Sequence, residues 1–267
     1  MDVRSEFDRP YSEAHTDHRL MDWYYPETPN GHAMLWIHGG GFSGGSKKQW
    51  RPVCNHFAAL GYTCATAEYR LAPVGDMADQ VADSRLAMQH MRDRATELGY
   101  RTDRIAAGGS SAGGHLVCML GTIAADDSIG TDPELLRPDT RPNLVYAYCP
   151  VTCIYPGPPH FGYCSETVKG MLHGPPDDDR IDAYRAASPI DRIDAHSAPT
   201  LFIHGDADET VPLSHSTNFH RLLLEHDVAS RLLVLTGVKH GFGYGVQSDS
   251  QLAAIDHVER YTRSLWD

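Results

Sequence analysis

Gly108-Gly109-Ser110-Ser111-Ala112-Gly113-Gly114 is the stretch on which the fold turns. It follows a strand-like run, Arg104 to Gly108, and opens a helical pattern, Ala112 to Ala125. Of its two serines only Ser111 has glycine both two residues before and two residues after, Gly109 and Gly113. A strand that turns into a helix around one exposed side chain needs such small neighbours, because the flanking backbones come close together. The serine then stands at a helix N-terminus, where backbone N–H groups and the helix dipole favour developing negative charge. A P-loop reading fails, since no Lys-Ser or Lys-Thr pair follows the glycines.

Working outward, strand-like and helix-like segments alternate. Leu20 to Tyr25, Ala33 to Ile37, Thr63 to Tyr69, Leu144 to Cys149, Thr200 to His204 and Arg231 to Leu235 read as strands. Gln49 to Leu60, Met77 to Leu98, Leu213 to His226 and Ser250 to Trp266 read as helices; Val81, Leu86, Met88 and Met91 supply the helical spacing in the longest. The alternation predicts an α/β fold, a mostly parallel central sheet with helices on both faces. One domain over residues 1–267 is expected. The rhythm breaks at about 151–192, where six prolines and the run Asp177-Asp178-Asp179 stand among turn residues. This stretch reads either as a lid-like insertion over the C-terminal edge of the sheet or as a solvated excursion.

The 267 residues are enough to bury on the order of three quarters of the surface of the unfolded chain. A net charge of −12 with no basic stripe argues against nucleic acid and anionic membrane as partners. The N-terminus has no apolar segment of signal-peptide type, and no apolar run reaches the roughly 18 residues of a membrane span, so a cytoplasmic location is the expectation. Six cysteines, at 54, 64, 118, 149, 153 and 164, form no C-x-x-C pair and read as small buried hydrophobes; a bridge between Cys153 and Cys164 stays open.

Three further features fall at strand ends. Trp36-Ile37-His38-Gly39-Gly40-Gly41-Phe42 closes the second strand with three glycines. Such a loop can offer backbone N–H groups to an oxyanion, joined by the N–H of Ala112 just after Ser111, with His38 ordering the loop. His204-Gly205-Asp206-Ala207-Asp208-Glu209-Thr210-Val211-Pro212 offers three carboxylates, and spacing does not choose among Asp206, Asp208 and Glu209. His240, in Val238-Lys239-His240-Gly241-Phe242, comes last. Serine, then acid, then histidine is the chain order of a hydrolase built on a parallel sheet. Ligands bind at that edge of an open α/β sheet.

With HGGGF at 38–42, AEYRLAP at 67–73, GGSSAGG at 108–114 and HGDADETVP at 204–212, the sequence resembles the α/β-hydrolases. It is closest to small carboxylesterases of the hormone-sensitive-lipase and feruloyl or acetyl-xylan esterase-like (BD-FAE-like) branch. The resemblance runs from about Leu20 to the C-terminus. It selects Asp208 as the acid, through the pattern H-G-x-x-D-x-x-V-P, and implies Gly40 and Gly41 as oxyanion donors with Ala112, Gly39 being a further option. It makes Arg70 and Asp83 scaffold residues. Only 37 residues precede His38, so the N-terminal cap of the lipase relatives is expected to be absent or small. That favours short acyl esters or a bulky alcohol such as a sugar.

The expected activity is a serine carboxylic ester hydrolase with a Ser111–His240–Asp208 triad and an acyl-enzyme, needing no metal or organic cofactor. The expected partner is a small-molecule ester, and a homodimer stays open. An arylformamidase-like amide hydrolase and a non-catalytic binding protein are the alternatives. Activity is expected to rise through a histidine pKa near 7 or somewhat below. Trp50, Tyr155, Phe161, Tyr163, Phe242 and Tyr244 are candidates for the mouth of the site.

Overall fold

The computed structural model describes residues 3–124, 127–137, 139–157 and 162–266. Eight strands form one sheet: β1 (Arg4–Pro10), β2 (Leu20–Tyr25), β3 (Ala33–Ile37), β4 (Thr63–Ala67), β5 (Ile105–Ser110), β6 (Leu144–Tyr148), β7 (Thr200–Gly205) and β8 (Ser230–Leu235), in the order β1-β2-β4-β3-β5-β6-β7-β8. The pairs β1/β2 and β2/β4 are antiparallel and the other five are parallel. The helices are α1 (Arg51–Ala59), α2 (Met77–Leu98), α3 (Ala112–Thr122), α4 (Glu166–Met171), α5 (Ile181–Ala186), α6 (Ser214–Glu225) and α7 (Asp249–Trp266).

Both faces of the sheet are covered. On β3, Ala33, Leu35 and Ile37 join a cluster with α2, α3 and α6, while Met34 and Trp36 join a second cluster with α1 and α7. This is why β3 reads as an unbroken apolar run rather than an alternation. Each large side chain so buried contributes roughly 1.5–3 kcal/mol. Trp36 anchors the second cluster, with ring centroids 4.5 Å from Trp50 and 5.9 Å from Tyr146. Trp50 Nε1 donates to the Ile37 carbonyl at 2.9 Å, tying the turn before α1 to the end of β3.

Arg70 and Asp83 hold the scaffold as expected, but in a larger ion cluster. Asp83 accepts from the Arg70 N–H and Nη2, each at 2.8 Å, and from Arg19 Nε at 2.8 Å. Asp83 and Arg19 are fully buried. Removing the carboxylate takes away the acid the two arginines share and leaves Arg19 to Asp132 and Arg70 to Asp79, so Asp83→Ala is expected to cost about 3 kcal/mol, the low end for breaking a buried ion pair. A lower urea midpoint at unchanged m-value checks this.

The turn-rich stretch between β6 and β7 is not a solvated excursion. Val168, Met171, Tyr184 and Ile190 are buried in the α2–α3 cluster. Ser165 caps α4 by accepting the Val168 N–H at 3.2 Å. Strand β1 has no counterpart in the sequence reading. It is a mostly exposed edge whose apolar residues are Phe7 and Pro10, so no alternation marks it. All six cysteines are free, Cys153 and Cys164 included. Among the described residues no helix is long and apolar enough to cross a membrane.

Candidate active site

The turn at Ser111 is strained, as its sequence demands. Ser111 has φ 57° and ψ −117°, between the end of β5 and the first residue of α3. A Cβ on Gly113 would lie 2.2 Å from the Ile37 carbonyl oxygen and 2.4 Å from that of His38. Glycine therefore lets α3 pack directly on the end of β3, which brings the His38–Phe42 loop beside Ser111.

His240, in the loop after β8, joins the other two groups. Its Nε2 lies 2.9 Å from Ser111 Oγ and its Nδ1 lies 2.6 Å from Asp208 Oδ2. The Asp208 side chain is almost fully buried, and its Oδ1 accepts the Thr210 and Val211 N–H groups, each at 2.9 Å. The other two carboxylates are directed elsewhere: Asp206 Oδ1 accepts the Gly237 N–H at 2.6 Å, and Glu209 is exposed. His204, fully buried, braces the acid, with Nε2 2.9 Å from the Val211 carbonyl oxygen and 3.3 Å from Asp208 Oδ2.

On the other side of Ser111 lie the glycines. Gly40 has φ 129°, and a Cβ there would lie 2.2 Å from the Gly44 carbonyl oxygen. Among the described residues no acceptor takes the N–H of Gly40, Gly41 or Ala112, and all three residues line one cavity with Ser111 and His240. Gly39 is different: its N–H donates to the Tyr244 hydroxyl at 2.8 Å, which leaves it unavailable to an oxyanion. His38 orders the loop, with Nδ1 2.9 Å from the Gly39 carbonyl oxygen, Nε2 2.9 Å from Glu68 Oε2, and its ring stacked on Tyr69.

The cavity measures about 240 Å³. Tyr163 and Val151, from the stretch after β6, and Tyr244 form part of its wall. Trp50 and Tyr155 are buried instead, and Phe242 packs on Tyr148. Phe161 lies outside the described residues.

Sequence reasoning missed Cys149. It follows β6, is fully buried with φ 36°, and brings its sulfur within 4.8 Å of the ligand atoms of both Asp208 and His240. Its place at the carboxyl end of a central strand was the available signal. The consequence is electrostatic. Burial pulls the His240 pKa down, but hydrogen bonding and charge at Cys149 and Asp208 outweigh it and raise the value to about 9. A histidine that must be neutral to accept a proton is silenced below its pKa. So kcat/KM should climb by about tenfold per pH unit through neutrality and level off only near the raised value. A profile already flat by neutral pH would contradict this.

A strained serine turn at the centre of a mostly parallel sheet, with an acid and a histidine on the loops after two later strands, defines an α/β-hydrolase fold. The chain belongs to the BD-FAE family, whose profile matches residues 21–223. It is 27% identical over 230 residues to a probable carboxylic ester hydrolase, LipM, of Mycobacterium tuberculosis, covering 82% of this chain and 51% of that protein. It is 28% identical over 220 residues to an ethyl acetate hydrolase of Pseudomonas putida, covering 79% of this chain and 66% of that protein. The chain thus spans about half to two thirds of the length of these relatives. The apo form of Thermogutta terrifontis esterase 2 superposes with a TM-score of 0.80 at 25% identity, over 98% of this chain and 95% of that one.

Proposed function

We propose that this chain is a serine carboxylesterase acting on short-acyl esters. The observation that carries the reading is His240, hydrogen-bonded through one ring nitrogen to Ser111 and through the other to Asp208. Ser111 Oγ attacks the ester carbonyl carbon while His240 Nε2 takes its proton. Asp208 keeps the remaining ring proton on Nδ1 and stabilises the imidazolium. The N–H groups of Gly40, Gly41 and Ala112 receive the oxyanion of the tetrahedral intermediate. The carbon–oxygen bond to the alcohol then breaks, His240 returns the proton to the leaving alkoxide, and an acyl-Ser111 ester remains. Water, deprotonated by His240, hydrolyses it by the same steps in reverse order.

Two facts support the short acyl group. The cavity, at about 240 Å³, is below the roughly 300–1,000 Å³ of drug-sized sites. A relative that aligns over most of this chain is named for ethyl acetate. Tyr163 and Val151 would act as the fixed part of a lid formed by the 151–192 stretch.

The test is hydrolysis of p-nitrophenyl acetate, butyrate and octanoate, beside a set of N-formyl aryl amines. Esterase turnover that falls from acetate to octanoate is the expected result. Turnover of the formamides alone would replace the ester reading with an arylformamidase. Equal rates on acetate and octanoate would overturn the short-acyl part.

A further inference from the structure

Cys149, Asp208 and His240 follow three neighbouring parallel strands, β6, β7 and β8, and converge at their carboxyl ends. Each offers one ligand atom, and the three atoms lie within 4.8 Å of one another. The mechanism proposed above uses two of them and leaves the thiol without a task. Among the described residues its sulfur lies 3.5 Å from Ser110 Oγ and also faces His240.

We infer that this trio is an inhibitory site for a thiophilic divalent cation, zinc or cadmium. A thiolate, an imidazole and a carboxylate form a donor set that suits zinc-like ions and not magnesium or calcium, which prefer oxygen alone. An ion held about 2.0–2.3 Å from nitrogen, oxygen and sulfur sets its ligands roughly 3.5 Å apart, so Nδ1 and Oδ2, now 2.6 Å apart, have to open by about an ångström while the sulfur stays within reach of both. His240 also walls the active-site cavity, with Cys149 and the Asp208 carboxylate buried directly behind it.

Binding is a proton-for-metal exchange with no redox change. The ion takes the lone pair of Nδ1 and the thiolate of Cys149; the single proton of the neutral ring moves from Nδ1 to Nε2, and the thiol proton leaves to water. Asp208 passes from accepting a hydrogen bond to ligating the ion. The neutral imidazole then carries its proton on Nε2, facing Ser111, and cannot accept another. An occupied site is therefore a silent enzyme, and removing the ion with a chelator restores it. The inference rests on the geometry of the trio and not on the ester reading, so binding can be measured without turnover.

The experiment titrates cadmium chloride into Ser111→Ala protein by calorimetry, with the ultraviolet cadmium–thiolate charge-transfer band as a second readout. One ion per chain with the charge-transfer band is expected. Adding Cys149→Ser should abolish the band and weaken binding by at least on the order of a hundredfold, since even outer partners of metal ligands contribute 10–100-fold. Adding Cys164→Ala, which removes the half-buried thiol elsewhere in the fold, should change neither. Should Cys149→Ser not fold, Asp208→Asn in the Ser111→Ala background should weaken binding while keeping the band. Wild-type turnover should fall as cadmium is added and return with chelator, each rate taken relative to the same protein without metal. No binding to Ser111→Ala overturns the inference. So does a band that survives Cys149→Ser or vanishes with Cys164→Ala.

Discussion

Ser111→Ala is expected to lower kcat on p-nitrophenyl acetate by on the order of 10⁶-fold, because nucleophile and base act as a unit and losing one costs nearly as much as losing both. The fold should barely notice. Ser111 Oγ bonds His240 Nε2, and that single exchange is worth about 1 kcal/mol or less in stability. Alanine keeps the Cβ, so the cost of φ 57° is the same before and after. The measurement is kcat beside the thermal midpoint for wild type, Ser111→Ala and Ser110→Ala. Ser110 is fully buried beside Cys149, and its alanine variant should keep most of the activity. If Ser111→Ala retained more than about a hundredth of the wild-type rate, the nucleophile would have to be sought elsewhere.

The parts of this fold that were legible share a cause. Strands β3 to β7 are parallel and buried throughout, so each appears as a short apolar run ended by glycine or a turn. Helix α2 announces itself through the spacing of Val81, Leu86, Met88 and Met91, and its sequence boundaries match the structure, where the Asp76 carboxylate caps it by accepting the Asp79 N–H at 2.9 Å. Strand β1 was invisible because an exposed antiparallel edge needs no apolar alternation, only a partner, and β2 supplies it. The stretch from 151 to 192 was half legible. Its prolines and glycines mark turns, but nothing local says that Val168 and Tyr184 reach the core.

The site divides in the same way. Ser111, the glycine loop and His240 could be read because the chemistry constrains their immediate neighbours. The choice of acid could not be read from spacing, since Asp206 and Asp208 sit two residues apart on one loop. Only the path of that loop turns one to the Gly237 N–H and the other to His240. Gly39 looked equivalent to Gly40 and Gly41 until Tyr244, 205 residues away, was seen to take its N–H. Cys149 was hidden for the opposite reason: a buried cysteine in an apolar run looks inert, and its surroundings come from the loops after the next two strands in the sheet, β7 and β8.

Asp208→Asn should therefore be the second most damaging change, lowering kcat by on the order of 10⁴-fold near neutral pH. The substitution keeps shape and most contacts. The asparagine carbonyl still accepts the Thr210 and Val211 N–H groups, because turning the amide over would set its NH₂ against both of those donors. That fixes the NH₂ toward His240 Nδ1, 2.6 Å away in the wild type. Nδ1 must then accept, so the neutral ring carries its proton on Nε2 and cannot take one from Ser111. The variant is disabled by tautomer and not by displacement, and the imidazolium loses its counter-charge as well. Its pH profile should shift too: losing a carboxylate that holds the His240 pKa up moves the midpoint of the residual activity to lower pH. Asp206→Asn is the matched control. Its Oδ1 can still accept the Gly237 N–H, so its kcat should stay within about threefold of wild type, as for exposed positions away from the reacting atoms. The two kcat values, with a pH series for each, decide the assignment: near-normal turnover in Asp208→Asn with loss in Asp206→Asn would transfer the role of acid to Asp206.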